Sequence, residues 1–244
     1  MSKIHRVCEA LDRSYGIKLW TRREPILGEL VLTILSQNTT ARNCNEAFRA
    51  LSERFPMWDQ VMNAPWQEIA DAIRVGGLAN RKAPRIKSIL REIHNERGKL
   101  DLEWLADVPD DQALHYLLRF DGVGRKTAAC VLMFALGRPV LPVDTHVHRV
   151  ATRLGLIGSM SADAAHDALQ AIVIHSSSGA RVRARVRARV ELAPDQRSEA
   201  ERVYSFHINT VLHGRQVCHA RNPECRRCCL SGDCDYFARQ AGTG

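Results

Sequence analysis

The amino-acid sequence predicts an all-α protein. From residue 26 to about residue 173, apolar residues recur at three- and four-residue spacing, which is the pattern of amphipathic helices. No window in this stretch alternates convincingly with the two-residue period of a half-buried strand. The connections between the periodic segments are short and contain Pro or Gly. A chain of 244 residues with 45% apolar and 25% charged residues is long enough for one large globular domain or two small ones.

Seven segments carry the helical pattern in this region, and helix-breaking residues separate them. Proline marks the connections FPMW, DVPDD and GRPVLPVD, whereas glycine marks RVGGLANRKAP and FDGVG. A further helical pattern, ELAPDQRSEAERVYSFHINTVLHGR, precedes a cysteine-rich segment near the C-terminus. In chain order the seven segments are ILGELVLTILSQ, NEAFRALSERF, WQEIADAI, APRIKSILREIHNE, DQALHYLLRF, RKTAACVLMFAL and VHRVATRLGL.

Residues 176–190, SSSGARVRARVRARV, interrupt the helical pattern. A Ser/Gly run followed by Arg alternating with Val or Ala is typical of a solvated, mobile loop, which is the interpretation we favour. The alternatives are an edge strand with one basic face, or a basic arm that contacts DNA phosphates. The chain has a net charge of +8 and a pI of about 9.3, but this segment holds five of its arginines. Charge alone therefore indicates a polyanionic partner only weakly.

Composition and cysteine usage exclude several classes of protein. No stretch approaches the roughly 18–20 apolar residues of a transmembrane helix, and the N-terminus lacks the apolar segment of a signal peptide. We therefore expect a cytosolic protein, or a nuclear one, or an organellar one after processing, with no membrane partner. Five of the eight cysteines fall between residues 218 and 234, whereas a secreted disulfide framework would spread them along the chain. Their clustering predicts a metal or iron–sulfur site.

The cysteine cluster has the spacing Cys218-x6-Cys225-x2-Cys228-x5-Cys234. Four thiolates brought together by short loops suit either a tetrahedral zinc site or a four-iron cluster. The spacing alone does not separate these two. The adjacent Cys229 leaves the third ligand slightly open, although Cys228 fits the spacing.

A second motif lies in residues 117–136, LLRFDGVGRKTAACVLMFAL, where a Gly-x-Gly turn joins two helices. The amides of Gly122 and Gly124 can face a phosphate as the second helix begins at Arg125. Many helix–helix corners look similar, so this motif is weak by itself. Lys126 lies in the first turn of the second helix, where the helix dipole disfavours a positive charge. Lys126 is a nucleophilic amine, a solvated surface lysine or a phosphate contact, and by itself the residue favours the last two interpretations.

A third motif, LPVDTHVHRVATRLGL, centres on Asp144. Its position before an amphipathic helix predicts an N-cap, and the same carboxylate could accept a proton or stabilise positive charge in a pocket. His146 and His148 follow closely. Side chains two residues apart face different sides of a helix, so a metal shared by these histidines is not expected.

Taken in order, these motifs resemble the endonuclease III family of helix-hairpin-helix DNA glycosylases, which carry a [4Fe-4S] cluster. The resemblance rests on FDGVGRKTA, on VDTHVHRV eighteen residues beyond the lysine, and on the four-cysteine spacing. LSQNTT at 35–40, GGLANRKA at 76–83 and LHGRQVC at 212–218 are similar to further family segments. The resemblance spans nearly the whole chain.

The resemblance implies a two-domain, all-α helix-hairpin-helix DNA glycosylase fold. A six-helix barrel domain is expected at about 24–138, with the helix-hairpin-helix at about 111–137. The N-terminal 1–23 and the C-terminal 139–244 are expected to form the cluster domain, with the basic segment as an insertion. Double-stranded DNA containing damaged bases or abasic sites is expected to lie across the cleft between the domains, bound by a monomer.

The resemblance also implies a bifunctional glycosylase and DNA-(apurinic or apyrimidinic site) lyase of base excision repair. Lys126 is expected to attack the sugar C1′ of a flipped oxidised pyrimidine and form a Schiff base, while Asp144 activates the amine and stabilises the sugar cation. β-Elimination then cuts the strand 3′ to the abasic site. Related enzymes that only remove bases lack the lysine, so Lys126 favours the bifunctional activity.

The remaining implied roles concern DNA contacts and the cluster. Cys218, Cys225, Cys228 and Cys234 are the expected cluster ligands, and Arg221, Arg226 and Arg227 are expected to contact phosphates. Ala41 stands where many relatives have an acidic residue. The alternatives are a weak or silent DNA-binding or redox-sensing member of the same scaffold, and a zinc-finger-type binder. The expected DNA-contacting residues are Gln37, Asn38, Leu78, Gly122, Val123, Gly124, Arg125, Thr127 and His146, with either Gln37 or Asn38 entering the duplex.

Overall fold

A computed structural model describes residues 1–175 and 197–241, and it confirms the predicted all-helical class. These residues contain no β-strand. Within these described ranges, no helix combines the length and apolar character needed to cross a membrane. The basic segment 176–190 lies outside the described residues. The α-helices are α1 (Lys3–Tyr15), α2 (Ile26–Leu35), α3 (Ala41–Arg54), α4 (Trp58–Asn63), α5 (Trp66–Ala72), α6 (Ala79–Arg97), α7 (Asp110–Leu118), α8 (Arg125–Leu136), α9 (Thr145–Leu154), α10 (Ala162–His175), α11 (Glu199–Gln216) and α12 (Asp235–Ala241).

The chain divides into two compact units. The continuous unit is Arg22–Leu136 and contains α2 to α8. The discontinuous unit combines Met1–Thr21 with Gly137–Gly244 and contains α1 and α9 to α12. The hairpin motif and Lys126 therefore belong to the continuous unit, whereas Asp144 and the four clustered cysteines belong to the discontinuous one.

The core of the continuous unit is built around α2, whose ten residues are all buried. A helix that is apolar on every side must be surrounded by other elements, and α2 packs against α3, α6 and α8. Its one ionisable residue, Glu29, is paired with Arg23 (Nε to Oε2 3.0 Å) and accepts a hydrogen bond from Thr33 (3.1 Å). Burial raises the pKa of Glu29. The pairing satisfies a polar group that would otherwise destabilise the core.

The discontinuous unit is held together by α11, which packs against α1, α9 and α10. Asp12 of α1 accepts hydrogen bonds from Arg197 (2.6 Å), Ser205 (2.7 Å) and Asn209 (3.0 Å). These three donors come from α11 or from just before its first residue. The first residues of the chain are thereby joined to residues almost two hundred positions later, which explains why they form one unit.

Candidate active site and metal centre

The hairpin runs from α7 to α8, and α8 begins at Arg125 as the sequence predicts. The Gly124 carbonyl accepts the Ala128 amide at 3.0 Å, so it closes the first turn of α8. The first amides of a helix have no acceptor inside it, and they carry the positive end of the helix dipole. Val123 is buried beneath the turn. The geometry can therefore bind an anion such as a phosphate through backbone amides.

Gly122 is held in a conformation that favours glycine. Its φ is +70°, and a Cβ at this position would lie 2.1 Å from the Cζ atom of Arg85. Arg85 reaches over the turn from α6 and also pairs with Asp121 (Nε to Oδ2 3.2 Å). A guanidinium thus lies against the hairpin backbone, where it adds positive charge beside the amides of the turn. Arg85 was not singled out by the sequence patterns.

Gln37 and Asn38 have different environments. Gln37 Nε2 donates to the Gly122 carbonyl (3.1 Å) and to Thr127 Oγ1 (3.3 Å), so Gln37 supports the hairpin from behind. Asn38 is exposed and has a φ of +52°. Leu78, in a separate turn, has a φ of +51° and a 44% exposed side chain. Asn38 and Leu78 are therefore available to a ligand, whereas Gln37 is engaged within the protein.

Lys126 is half-buried in the first turn of α8. Among the described residues, no hydrogen bond or ion pair is found for its ammonium group. Arg125, the preceding residue, is also half-buried. The amine of Lys126 therefore lies in the first turn of α8, next to the hairpin, without an ion-pair partner among the described residues.

Asp144 is the N-cap of α9, which confirms that prediction. Its Oδ1 accepts the backbone amides of His146 (2.9 Å) and Val147 (2.8 Å). In the part of the chain that the structure describes, Oδ2 has no hydrogen-bond partner. One oxygen of the carboxylate thus orders the helix, and the other is left for a ligand.

The two histidines of this motif have separate partners. His146 Nδ1 lies 3.0 Å from Arg149 Nη2, and because a guanidinium only donates, the imidazole must accept there in its neutral form. Burial lowers the pKa of His146, which agrees with that assignment. His148 Nε2 lies 3.0 Å from the Met160 carbonyl and donates to it. His146 is placed beside the Asp144 cap rather than in a metal site.

The four cysteines of the predicted ligand set line one small pocket, together with Tyr236 and Phe237. Cys229 is exposed and does not line this pocket. Among the described residues, no three His, Cys, Asp or Glu side chains form a group that could hold one metal ion. The lining residues with sulfur are Cys218, Cys225, Cys228 and Cys234.

Donors surround the pocket. Arg153 Nη1 lies 3.3 Å from Cys218 Sγ, and the Leu230 amide lies 3.4 Å from Cys228 Sγ. His213 Nε2 also lies 3.4 Å from Cys228 Sγ, and burial lowers the pKa of His213 to about 4, so this imidazole is neutral. Burial raises the pKa of Cys228 to about 11. A buried thiol of this kind becomes a thiolate when a cationic centre compensates it.

Two arginines connect α9 to the cysteine segment. Arg149 donates to the carbonyls of Cys218 (3.0 Å) and Gly214 (2.8 Å). Arg153, one turn later, donates to the carbonyls of His219 (2.6 Å) and Ala220 (3.0 Å). The helix capped by Asp144 is therefore fastened to the loop that carries the first cysteine. The spacing of four between the arginines was the available sequence signal, because it places both on one helix face.

The arginines of the cysteine segment differ in their freedom. Arg221, Arg226 and Arg227 are all exposed, and Arg227 also forms a surface ion pair with Glu224 at 2.9 Å. Glu224 also lies 3.5 Å from His219. Phosphate binding by Arg227 would therefore compete with an existing pair.

Comparison with known proteins identifies the family. Residues 31–173 match the model of the HhH-GPD superfamily of base excision DNA repair proteins. That segment covers more than half of the chain and includes the hairpin, Lys126 and Asp144. The chain belongs to this superfamily, and within it to the endonuclease III-like members.

Individual relatives support the same family. An Arabidopsis thaliana protein described as a DNA glycosylase is 48% identical over 137 residues, which are 56% of this chain and 47% of that protein. The DNA glycosylase/AP lyase ROS1 of A. thaliana is 32% identical over 74% of this chain, but only 12% of ROS1 is covered. Endonuclease III of Thermotoga maritima is 30% identical over 86% of this chain and 83% of that protein. The chain thus spans about half of the first relative and a small part of the second.

Solved structures agree on the fold. A non-covalent endonuclease III–DNA complex matches with a TM-score of 0.73 at 23% identity, covering 99% of both chains. A thermostable thymine-DNA glycosylase matches with a TM-score of 0.67 at 21% identity, covering 97% of this chain and 96% of that one. At these identities the likeness concerns the fold alone.

Proposed function

We propose that this protein is a bifunctional DNA glycosylase and AP lyase that acts as a monomer on double-stranded DNA. Its proposed substrates are oxidised pyrimidines and abasic sites. The observation that carries the proposal is Lys126, an amine without an ion-pair partner among the described residues, in the first turn of α8 beside an anion-binding hairpin. The names of two relatives, endonuclease III and the AP lyase ROS1, support the same activity.

The hairpin is proposed to bind the phosphate backbone of the DNA. The amides of the turn at Gly122 and Gly124 and of Arg125 bind one phosphate, and the Arg85 guanidinium adds a charged contact. Such contacts position the protein without selecting a base sequence. Asn38 and Leu78 are the side chains proposed to enter the duplex, because both are exposed and both occupy left-handed turns. The space left by a flipped nucleotide is their proposed place.

The proposed reaction begins with the neutral amine of Lys126. Its nitrogen attacks C1′ of the damaged nucleoside, the glycosidic C–N bond breaks, and the base leaves with the bonding electrons and takes up a proton. Opening of the sugar ring gives a Schiff base between C1′ and the lysine nitrogen. Loss of a C2′ proton then drives β-elimination, which breaks the bond to the 3′ phosphate. Asp144 is the proposed general base and stabiliser of positive charge on the sugar, through its free Oδ2.

The proposed cofactor is a [4Fe-4S] cluster bound by the four pocket cysteines. The donor set fits this group: all four donors are thiols, they line one pocket, and N–H groups point at two of the sulfurs. A four-iron cluster gives each thiolate its own iron, so it does not need three ligands to converge on one atom. When bound, the cluster would cross-link the four cysteines and so hold the charged loop between them in place. Protein purified under anaerobic conditions should be brown and absorb broadly at about 400 nm; a colourless zinc protein would contradict the proposal.

The activity is tested by borohydride trapping on a duplex with one abasic site. Wild-type protein should give a covalent adduct because borohydride reduces the Schiff base, and Lys126→Gln should give none. Both variants should bind the abasic duplex, which shows that the loss is chemical. Absence of an adduct from folded, DNA-binding wild type would overturn the lyase proposal and favour the silent DNA-binding alternative.

The lesion class needs its own comparison. Duplexes with an oxidised pyrimidine and with a thymine mismatch should be offered in parallel, since one similar fold is that of a thymine-DNA glycosylase. We expect release of the oxidised base at a rate at least about 100-fold above that of thymine. Faster release of mismatched thymine would indicate that the substrate is a thymine mismatch and not an oxidised pyrimidine. Ala41, at the first position of α3, is the departure to examine in that case.

A further inference from the structure

The continuous unit contains a lysine that is buried almost completely. Lys82 of α6 is 2% exposed, and its ammonium donates to the carbonyls of Leu35 (2.7 Å) and Gly76 (2.9 Å). Burial lowers the pKa of Lys82, since removing the charge from water is unfavourable. A buried ammonium persists only where hydrogen bonds compensate it. Lys82 lies in the segment GGLANRKA, but neither the proposed DNA contacts nor the proposed chemistry assigns it a role.

The two carbonyls belong to two different turns. Leu35 is the last residue of α2, and the turn after it leads to Asn38. Gly76 ends the short 3-10 helix Arg74–Gly76, and Leu78 lies two residues later, after Gly77. The last carbonyls of a helix lack partners within the helix, so both are natural acceptors. A single ammonium thus joins the ends of two segments that are about forty residues apart in the sequence.

Both turns contain a residue in the left-handed region. The φ values are +52° for Asn38 and +51° for Leu78. Asparagine tolerates this region, whereas for a side chain such as leucine it costs about 1–2 kcal/mol. The surrounding contacts must therefore hold Leu78 in place. The Lys82 amide also donates to the Leu78 carbonyl at 2.9 Å, so Lys82 contacts this turn through both its backbone and its side chain.

A simple need for a C-terminal cap does not explain the arrangement. Water or a glycine cap satisfies terminal helix carbonyls at exposed turns with no buried charge. A lysine that is placed between the two turns instead sets the distance between them. Lys87, also on α6, provides the contrast: it is half-buried and its ammonium donates to a single carbonyl, that of Ala64.

We propose that Lys82 is a positioning residue that holds the Asn38 and Leu78 turns at one fixed separation, so that both side chains enter damaged DNA together. The inference rests on the proposed function, because it concerns the same DNA-bound state. Without the ammonium, each turn moves independently, and the second side chain is no longer placed when the first has entered. Binding of an intact, stacked duplex does not need either insertion and should be unaffected.

The test compares Lys82→Met with Lys87→Met in full-length protein. The probes are a duplex with one stable abasic analogue flanked by 2-aminopurine and the matching undamaged duplex. For Lys82→Met we expect affinity for the abasic duplex to fall about tenfold, which is the effect of one charged hydrogen bond, and affinity for undamaged DNA to stay within about twofold. The 2-aminopurine signal at saturating protein should also decrease, because stacking around the gap is less disturbed. Lys87→Met should resemble wild type in its affinity for the abasic duplex, in its affinity for undamaged DNA and in the 2-aminopurine signal.

A double-mutant cycle separates positioning from general stability. If Lys82 acts through the turns, the double variant Lys82→Met/Leu78→Ala should lose less affinity for the abasic duplex than the sum of the losses in the two single variants. Lys82→Gln, which keeps one shorter donor, should fall between wild type and Lys82→Met and provides the comparison if Lys82→Met does not fold.

An equal loss of affinity for both duplexes in the Lys82 variants, which a purely structural role predicts, would overturn the inference. Strict additivity with Leu78→Ala would also overturn it. Wild-type protein with no preference for the abasic duplex would instead overturn the proposed function, and the inference with it. If wild type shows that preference and the Lys82 variants keep it in full, only the inference fails.

Discussion

Asp144 combines a structural and a proposed chemical role in one carboxylate. Its Oδ1 accepts two backbone amides at the start of α9, and only Oδ2 is left for a substrate. The cap orients the side chain, since two hydrogen bonds fix the plane of the carboxylate. The two roles can be separated by substitution, because asparagine caps helices about as well as aspartate but does not accept a proton.

We therefore expect Asp144→Asn to keep the stability of the protein while lowering base release at least about 100-fold, the usual contribution of a general base. Asp144→Ala should lose the same activity and also about 1 kcal/mol of unfolding free energy. Urea denaturation and single-turnover base release measure the two effects. Equal stability of both variants would show that the cap contributes nothing.

His146 predicts a pH dependence of stability. Its pKa in the folded protein is lowered from 6.5 by burial, and it accepts a hydrogen bond from Arg149 as the neutral imidazole. Below about pH 6.5 the unfolded state therefore binds more protons at this residue than the folded state, so stability falls as the pH falls. His146→Gln, which keeps an acceptor and does not titrate, should lose less unfolding free energy than wild type between about pH 7.5 and 5.5. Parallel denaturation curves at both pH values would contradict this.

At the scale of elements, the hairpin shows how a turn can be specified by backbone conformation. Gly122 has a positive φ and lies against Arg85, whereas at Gly124 a Cβ would meet no atom within 4 Å and φ is not left-handed. Both glycines belong to the same motif in the sequence. Only the first is required by its conformation, because the second has space for a side chain.

Gly122→Ala should destabilise the protein by about 1–2 kcal/mol and weaken binding to any duplex, since the turn amides move. Gly124→Ala is the matched control for stability and should change the free energy of unfolding only slightly, because a Cβ there meets no protein atom within 4 Å. Thermal unfolding and binding to undamaged DNA provide the two measurements. A large stability loss in Gly124→Ala would show that the turn has another requirement for glycine.

At the scale of the whole molecule, the N-terminal helix contacts residues almost two hundred positions later in the chain. Asp12 and Arg197 form an ion pair at 2.6 Å with side chains that are 11% and 4% exposed. Ser205 and Asn209 donate to the same carboxylate. The N-terminal helix α1 is thereby built into the discontinuous unit. The folded unit therefore depends on contacts between its first helix and α11.

Asp12→Ala should destabilise the discontinuous unit by about 3 kcal/mol, because it leaves a buried guanidinium without its carboxylate. Glu9→Ala on the same helix removes a partly exposed pair with Arg13 and should cost less than about 1 kcal/mol. Hydrogen exchange should show the loss in α1 and α11 while α2 and α8 of the continuous unit keep their protection. Uniform loss across both units would mean that they unfold as one.

The sequence by itself determined the helical class, the start of α8 and the cap at Asp144. Each of these depends on local chemistry: apolar periodicity produces buried helix faces, a glycine turn precedes a helix, and a carboxylate satisfies free amides. It also placed four cysteines within one short segment. The motifs and the family comparison agree because both depend on local sequence patterns of this kind.

Only the tertiary structure decided which residues hold these motifs in place. Gln37 is directed to the hairpin and Asn38 to solvent, although they are neighbours in the sequence. Arg153 contacts Cys218, and Lys82 joins two turns, and in each case the partner is distant along the chain. The physical reason is that the sequence around a charged side chain carries no periodic pattern that identifies its distant partner. Its role is defined by which carbonyls or sulfurs the packing of other elements brings within hydrogen-bonding distance.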